Sequence, residues 1–247
     1  MIFELFEDTV KMVFIVFCLH VVFRSYVRLR QPAWSMVLEK RRLAILLALV
    51  FAVLAIKVTE DVLGGESGPI DKAILVFIHD HVPTAWTAAF KAITLSGSAS
   101  VLVPAIATVT VILLFRQHRQ EAFLLAASAL IGSGLVYVVK AGVGRSRPAL
   151  WPSEWYAGSS FPSGHTLVVA ATAAAGVLAM MRLRPASGTW AIGAALAWTV
   201  LVALSRLVLG VHWPTDVLAA ACIGAAIPLV LSLALAFWQS GSKRSTL

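Results

Sequence analysis

Residues 98–115 read SASVLVPAIATVTVILLF, eighteen residues without one ionisable group, and a basic turn, RQHRQ at 116–120, follows at once. The run lacks the strict alternation of a half-buried strand, so it reads as a helix. Only helices and closed barrels satisfy the backbone in lipid, and a helix needs ~20 mostly apolar residues to cross. Comparable runs lie at about 43–63, 121–140, 165–181, 189–209 and 216–238, which makes six spans. The 247 residues are 60% hydrophobic and 13% charged, with a mean hydropathy of +0.88, whereas soluble domains carry about 25% charged residues. The expectation is an all-α polytopic transmembrane helical bundle of six core spans over residues 41–240. Residues 1–40 precede it and residues 241–247 form a cytoplasmic tail.

The net charge of +8 could suggest nucleic acid, but in so apolar a chain it reflects lysines and arginines retained in cytoplasmic loops. No nucleic-acid partner is expected. The connections at 116–120 and 182–188, the stretch 24–42 and the tail Lys243–Arg244 are basic and belong on the cytoplasmic side, which with Lys11 puts thirteen of the twenty Lys and Arg there. The outside loops are then 64–97, 141–164 and 210–215. Residues 12–23 are apolar for only twelve positions between acidic Glu4, Glu7, Asp8 and basic Arg24, Arg28, Arg30, which suits a surface-lying or partly inserted interfacial helix better than the alternative, a seventh span. Loop 64–97 starts with Gly64, Gly65, Gly68 and Pro69, and its apolar stretch with Trp86 and Phe90 suits the membrane interface. Cys18 and Cys222 lie in apolar runs and are read as small hydrophobes.

Three clusters place polar groups at the outer ends of the spans, where an unpaired charge is costly and implies a partner. They are Lys140 with Arg145, Arg147 and Pro148; Pro162-Ser163-Gly164-His165; and Ser205-Arg206 followed by His212 and Asp216. In this order and spacing they resemble the signature of the type-2 phosphatidic acid phosphatase superfamily, which also includes vanadium haloperoxidases and bacterial acid phosphatases: lysine, six residues, Arg-Pro; Pro-Ser-Gly-His; Ser-Arg, five residues, His, three residues, Asp. Every motif position is filled, and the resemblance covers about residues 60–235, including the six-span layout of the membrane-bound branch.

The chemistry follows from the residue types as well. A transferring phosphoryl group spreads charge over its oxygens, and Lys140, Arg147 and Arg206 supply three cations. Two are arginines, whose planar fork suits bidentate phosphate binding, while lysine acts as a point charge. Ser163, Gly164 and His165 open an apolar run, so the unpaired N–H groups of a helix start face the same surface and favour an anion. A plain N-cap would account for Ser163 but leaves His165 without a purpose. Asp216 lies four residues after His212 and can hold one imidazole nitrogen, leaving the other free to attack phosphorus. Asp216 as an ordinary acid at a helix N-terminus is the alternative. His165 could then protonate the leaving group and activate water. The resemblance implies this assignment: His212 forms a phosphohistidine, Asp216 supports it, His165 is the acid/base, and Lys140, Arg147, Ser163, Gly164 and Arg206 hold the phosphate. It implies neither metal nor cofactor.

Other features are weaker. His79-Asp80-His81 looks like a metal cluster, but three consecutive residues cannot face one point on a helix. Arg145 could join the phosphate cradle if its stretch is extended, yet it falls between motif positions. Gly132-Ser133-Gly134 reads as a close helix-packing site. Trp151, Trp155, Tyr156 and Phe161 suit either a path for a lipid chain or simple interfacial anchoring. A haloperoxidase would use the same cradle, but those relatives are soluble. A transporter would need ionisable groups near mid-membrane, and the span interiors are nearly free of them.

The expected activity is lipid phosphate hydrolysis at the periplasmic or exterior face of a bacterial inner membrane, without a metal. Undecaprenyl pyrophosphate and phosphatidylglycerol phosphate are the leading substrates, ahead of phosphatidic acid and lipid A.

Overall fold

The computed structural model describes residues 2–30, 35–151 and 158–242. Trp155, Tyr156, Lys243 and Arg244 lie outside the described residues. Within them the secondary structure is helical, without strands. Helix α1 spans Ile2–Arg30 and α2 Ser35–Gly64; then come α3 at Gly68–His81, α4 at Thr87–Leu95 and α5 at Ala99–Phe115. Helices α6 at Arg119–Val143, α7 at Gly164–Leu183, α8 at Gly188–Val208 and α9 at Pro214–Ser242 complete the order.

Among the described residues, six helical segments are long and apolar enough to cross a membrane: Glu39–Gly64, Thr84–Phe115, Arg119–Val143, Gly164–Leu183, Pro185–Val208 and Pro214–Ser240. These are the six spans expected from the sequence. In α1 the apolar stretch is Phe14–Tyr26, shorter than a span, with Phe14, Phe17 and Val22 exposed. Many large apolar side chains of the spans also face outward, among them Ile56, Val103, Leu130, Leu196 and Val230. A soluble monomer rarely exposes so much contiguous apolar surface. Facing lipid tails, the same side chains cost nothing.

Helices α7 and α9 form the centre. Each packs against the other, while α2 lies on α9, and α6 and α8 on α7. Small residues make this possible: Ala170, Ala171, Ala173 and Ala175 of α7 are buried. A Cβ built at Gly224 of α9 would collide with the Leu167 carbonyl oxygen and the Ala170 Cβ. Lipid offers helices no hydrophobic drive to associate, so close packing across small residues does that work. Gly224→Val should therefore separate α9 from α7, costing at least a few kcal/mol. A fall in the thermal midpoint measured in detergent checks this, and an unchanged midpoint would refute it. Gly132 is a packing position too, with Leu167 Cδ2 3.0 Å from where its Cβ would stand. Gly134 has open space there.

The stretch 64–97 differs most from expectation. It is not an irregular loop but α3, a short 3-10 turn at Thr84–Trp86, and α4. On α3, Asp71, Leu75 and Ile78 recur at helical spacing and face inward. Leu75 is fully buried against Leu207 and Val217, with Ile78 packed on the same cluster. Ile93 of α4 packs on the cluster formed by Leu102, Val169 and Val202. The two helices thus roof one end of the bundle.

Candidate active site

The alternating run of the helices puts the C-terminal ends of α6 and α8 beside the N-terminal starts of α7 and α9. Lys140 lies in the last turn of α6, Arg206 near the end of α8, His165 in the first turn of α7 and Asp216 in the first turn of α9. Arg147 follows α6 in a stretch without regular structure, and His212 sits in the turn joining α8 to α9. All the sequence-predicted residues thus come to one end of the bundle. His165 is within electrostatic range of Arg206, His212, Lys140 and Arg147, and Lys140 within range of Arg147, Asp216 and Arg206.

His212 is the best defined member. Its Nδ1 lies 3.3 Å from Asp216 Oδ2, and Arg147 Nη1 lies 3.4 Å from its Nε2. A guanidinium only donates, so Nε2 presents a lone pair to the cations and Nδ1 carries the proton toward Asp216. Burial is the main reason the imidazole falls below its usual range, to about 4; Arg206 and Arg147 lower it further, and Asp216 opposes them. His212 is therefore neutral at neutral pH, as a nitrogen nucleophile must be.

Each cation is oriented by the backbone or a hydroxyl. Lys140 Nζ donates to the Ser159 carbonyl at 2.7 Å, and Arg147 Nη1 to the Val211 carbonyl at 2.8 Å. Arg206 is 1% exposed, and its Nη1 donates to Thr94 Oγ1 of α4 at 2.7 Å. Sequence reading missed Thr94, because nothing local marks a threonine as the partner of an arginine 112 residues away.

Ser163 stands at the N-cap of α7 and is fully buried. Its hydroxyl pairs with Thr166 Oγ1 at 3.0 Å instead of capping the backbone, and its N–H donates to the Asp216 carbonyl at 3.2 Å, tying the starts of α7 and α9 together. Gly164 lies next to it, with Val136 Cγ1 3.3 Å from where a Cβ would stand. The turn carrying His212 depends on Gly210, whose φ is +67° and whose missing Cβ makes room for the Trp151 indole. Such a φ is open to glycine at little cost.

Three expectations change. Arg145 does not join Lys140, Arg147 and Arg206: its guanidinium is held by Asp71 at 2.6 Å and by Asp216 Oδ1 at 2.7 Å, with further bonds to Ser67 and Thr215. Phe161 is a core residue packed with Val58, Val62 and Ala219, so it lines no path for a lipid chain. Trp151 stacks on His79 at 3.9 Å and fills the space beside Gly210, supporting the site's turn rather than standing free in the interface. His81 Nδ1 donates to the Phe77 carbonyl at 2.8 Å.

Residues 121–240 match the PAP2 superfamily. Over 80 residues the chain is 41% identical to a protein of Escherichia coli (strain K12) named phosphatidylglycerophosphatase B, covering 32% of this chain and 30% of that one. Over 119 residues it is 31% identical to an undecaprenyl-diphosphatase of Sulfolobus acidocaldarius, covering 46% and 54%. The chain thus spans under two thirds of the length of these curated relatives. Among solved structures, the fold is similar to that of the transmembrane PAP2 type phosphatidylglycerolphosphate phosphatase from Bacillus subtilis, with a TM-score of 0.65 at 24% identity over 76% of this chain and 94% of that one. It is also similar to Aquifex aeolicus LpxE, with a TM-score of 0.52 at 24% identity over 66% and 93%. The matched segment contains every motif residue from Lys140 to Asp216, set in a bundle of six spans, and so residues 121–240 of this membrane protein form a PAP2 superfamily domain.

Proposed function

We propose that the chain is an integral membrane lipid phosphatase working through a phosphohistidine on His212. The observation that carries this reading is the imidazole itself: Nδ1 faces Asp216 while Nε2 faces Arg147, with Lys140 and Arg206 close by. In the first step Nε2 attacks phosphorus, the bond to the leaving oxygen breaks, and His165 gives that oxygen a proton. In the second, His165 takes a proton from water, which displaces the phosphoryl group from Nε2 and releases inorganic phosphate. Lys140, Arg147, Arg206 and the start of α7, with Ser163 and Gly164, stabilise the charge on the phosphoryl oxygens. The basic loops at the opposite end support an active site on the periplasmic or exterior side of a bacterial inner membrane.

A lipid substrate is supported by a cavity of about 610 Å³ between α5, α6 and α7. His165 and Gly164 stand at one end, Thr110 and Val111 lie deeper in the span, and the rest of the lining is mostly apolar. Its rim residues Val103 and Leu130 are exposed, so a chain could enter from the bilayer. Ala107→Phe, which narrows this cavity away from the chemistry, should lower kcat/KM for a long-chain phosphate about tenfold, within the range of losing one or two buried methylene contacts. A short-chain analogue should be little affected, and equal losses on both would refute the role of the cavity.

Undecaprenyl pyrophosphate and phosphatidylglycerol phosphate are the substrates we favour, the names of the two curated relatives adding support. Phosphate release from both, and from phosphatidic acid and lipid A, measured side by side in EDTA with and without vanadate, tests the reading. Activity lost in EDTA, or unaffected by vanadate, would count against it.

A further inference from the structure

Asp71 and Arg145 belong to no motif of the proposed reaction, yet both sit directly behind Asp216. Asp71, on α3, is fully buried. Its Oδ1 accepts the Thr215 N–H at 2.9 Å, and its Oδ2 accepts the Thr215 hydroxyl at 2.7 Å and Arg145 Nη2 at 2.6 Å. Thr215 is in the first turn of α9, so Asp71 satisfies from another helix an N–H that α9 cannot satisfy itself. Arg145 bridges onward, its Nη1 donating to Asp216 Oδ1 at 2.7 Å. The other oxygen, Oδ2, accepts the Trp213 N–H at 2.9 Å and faces His212 Nδ1. Both oxygens of Asp216 are thereby fixed in direction before His212 is considered.

Charge leads to the same place. Asp71 and Asp216 are both fully buried, and a single arginine lies between them, so the trio keeps one net negative charge. That charge faces the imidazole, which becomes positive when Nε2 bonds to phosphorus. Without Asp71, Arg145 would neutralise Asp216 alone and the imidazolium would lose its counter-charge. We propose that Asp71 and Arg145 are positioning residues for phosphoryl transfer, setting the direction and the charge of Asp216 without touching the phosphate. This inference rests on His212 being the nucleophile.

Asp71→Asn keeps the shape and can still accept from Thr215, while Arg145→Lys keeps the charge but loses the two-pronged fork. In the full-length protein in detergent, both should lower kcat about 10- to 100-fold, the scale on which outer partners of a functional histidine act. KM, and inhibition by inorganic phosphate, should stay within about threefold of wild type, because the cations that hold the phosphate are untouched. The double variant should lose no more than the worse single one, since both act through one carboxylate. Leu75→Ala loosens α3 without touching the ion network; it should lower the thermal midpoint but keep kcat. If Asp71→Asn does not fold, Arg145→Lys decides. A kcat within twofold of wild type overturns the inference, as does a kcat loss matched by weaker phosphate inhibition, or an equal loss in Leu75→Ala. If His212→Ala stays active, the underlying reading has failed; if that variant is dead while Asp71→Asn matches wild type, only this inference has.

Discussion

His212→Ala should reduce phosphate release by on the order of 10⁴-fold or more, the scale seen when the attacking group of a covalent mechanism is removed. The loss should be chemical and not structural. His212 is 2% exposed, but its removal leaves Asp216 bonded to Arg145 and to the Trp213 N–H, so no buried carboxylate is stranded. The thermal midpoint should therefore move little. Rapid mixing with a radiolabelled substrate and quenching should trap a phosphoenzyme in wild type that is labile to acid and stable to base, as a phosphorus–nitrogen bond is, and none in the variant. Because burial, with Arg206 and Arg147, holds the imidazole at about 4, protonation of His212 should not limit the rate anywhere in the neutral range. Activity in His212→Ala within tenfold of wild type, or label that persists in it, would end the assignment.

What could be read from the sequence, and what could not, divides along physical lines. Lys140, Arg147, His165, Arg206, His212 and Asp216 stand out because each is ionisable at the end of an apolar run, where lipid makes an unexplained charge conspicuous. Helices α3 and α4 are hard to read because Gly64, Gly65, Gly68 and Pro69 open the stretch like a loop and α4 is only nine residues long. Only the inward stripe of Asp71, Leu75 and Ile78 gives a helical signal, and it is two turns long. Asp71 carries no local mark of its role, since its burial is set by Arg145, 74 residues later. Arg145 itself could be placed near the site but not assigned, because only a tertiary partner shows whether a cation faces the ligand or its neighbours. Phe161 is ambiguous for a related reason: aromatic composition suits an interface and a core equally, and here Val58, Val62 and Ala219 enclose it.

His165→Ala should separate the two halves of the reaction. A positioned acid or base contributes about 10²- to 10⁴-fold, so hydrolysis of a lipid phosphomonoester, whose leaving alkoxide needs a proton, should fall by that range. A soluble aryl phosphate such as p-nitrophenyl phosphate leaves as a stable phenolate and needs little help, so its first step should survive. Its second step should not, because the water that attacks the phosphohistidine still requires a base, and His165 is within range of His212 and the three cations. The variant should then release about one equivalent of nitrophenol per active site in a burst and stall as the phosphoenzyme. Exogenous imidazole, supplying the missing base, should restore turnover in part. Equal losses for the lipid and the aryl phosphate, with no burst, would show that His165 binds the phosphate and moves no proton, and the acid/base role would have to pass to another group.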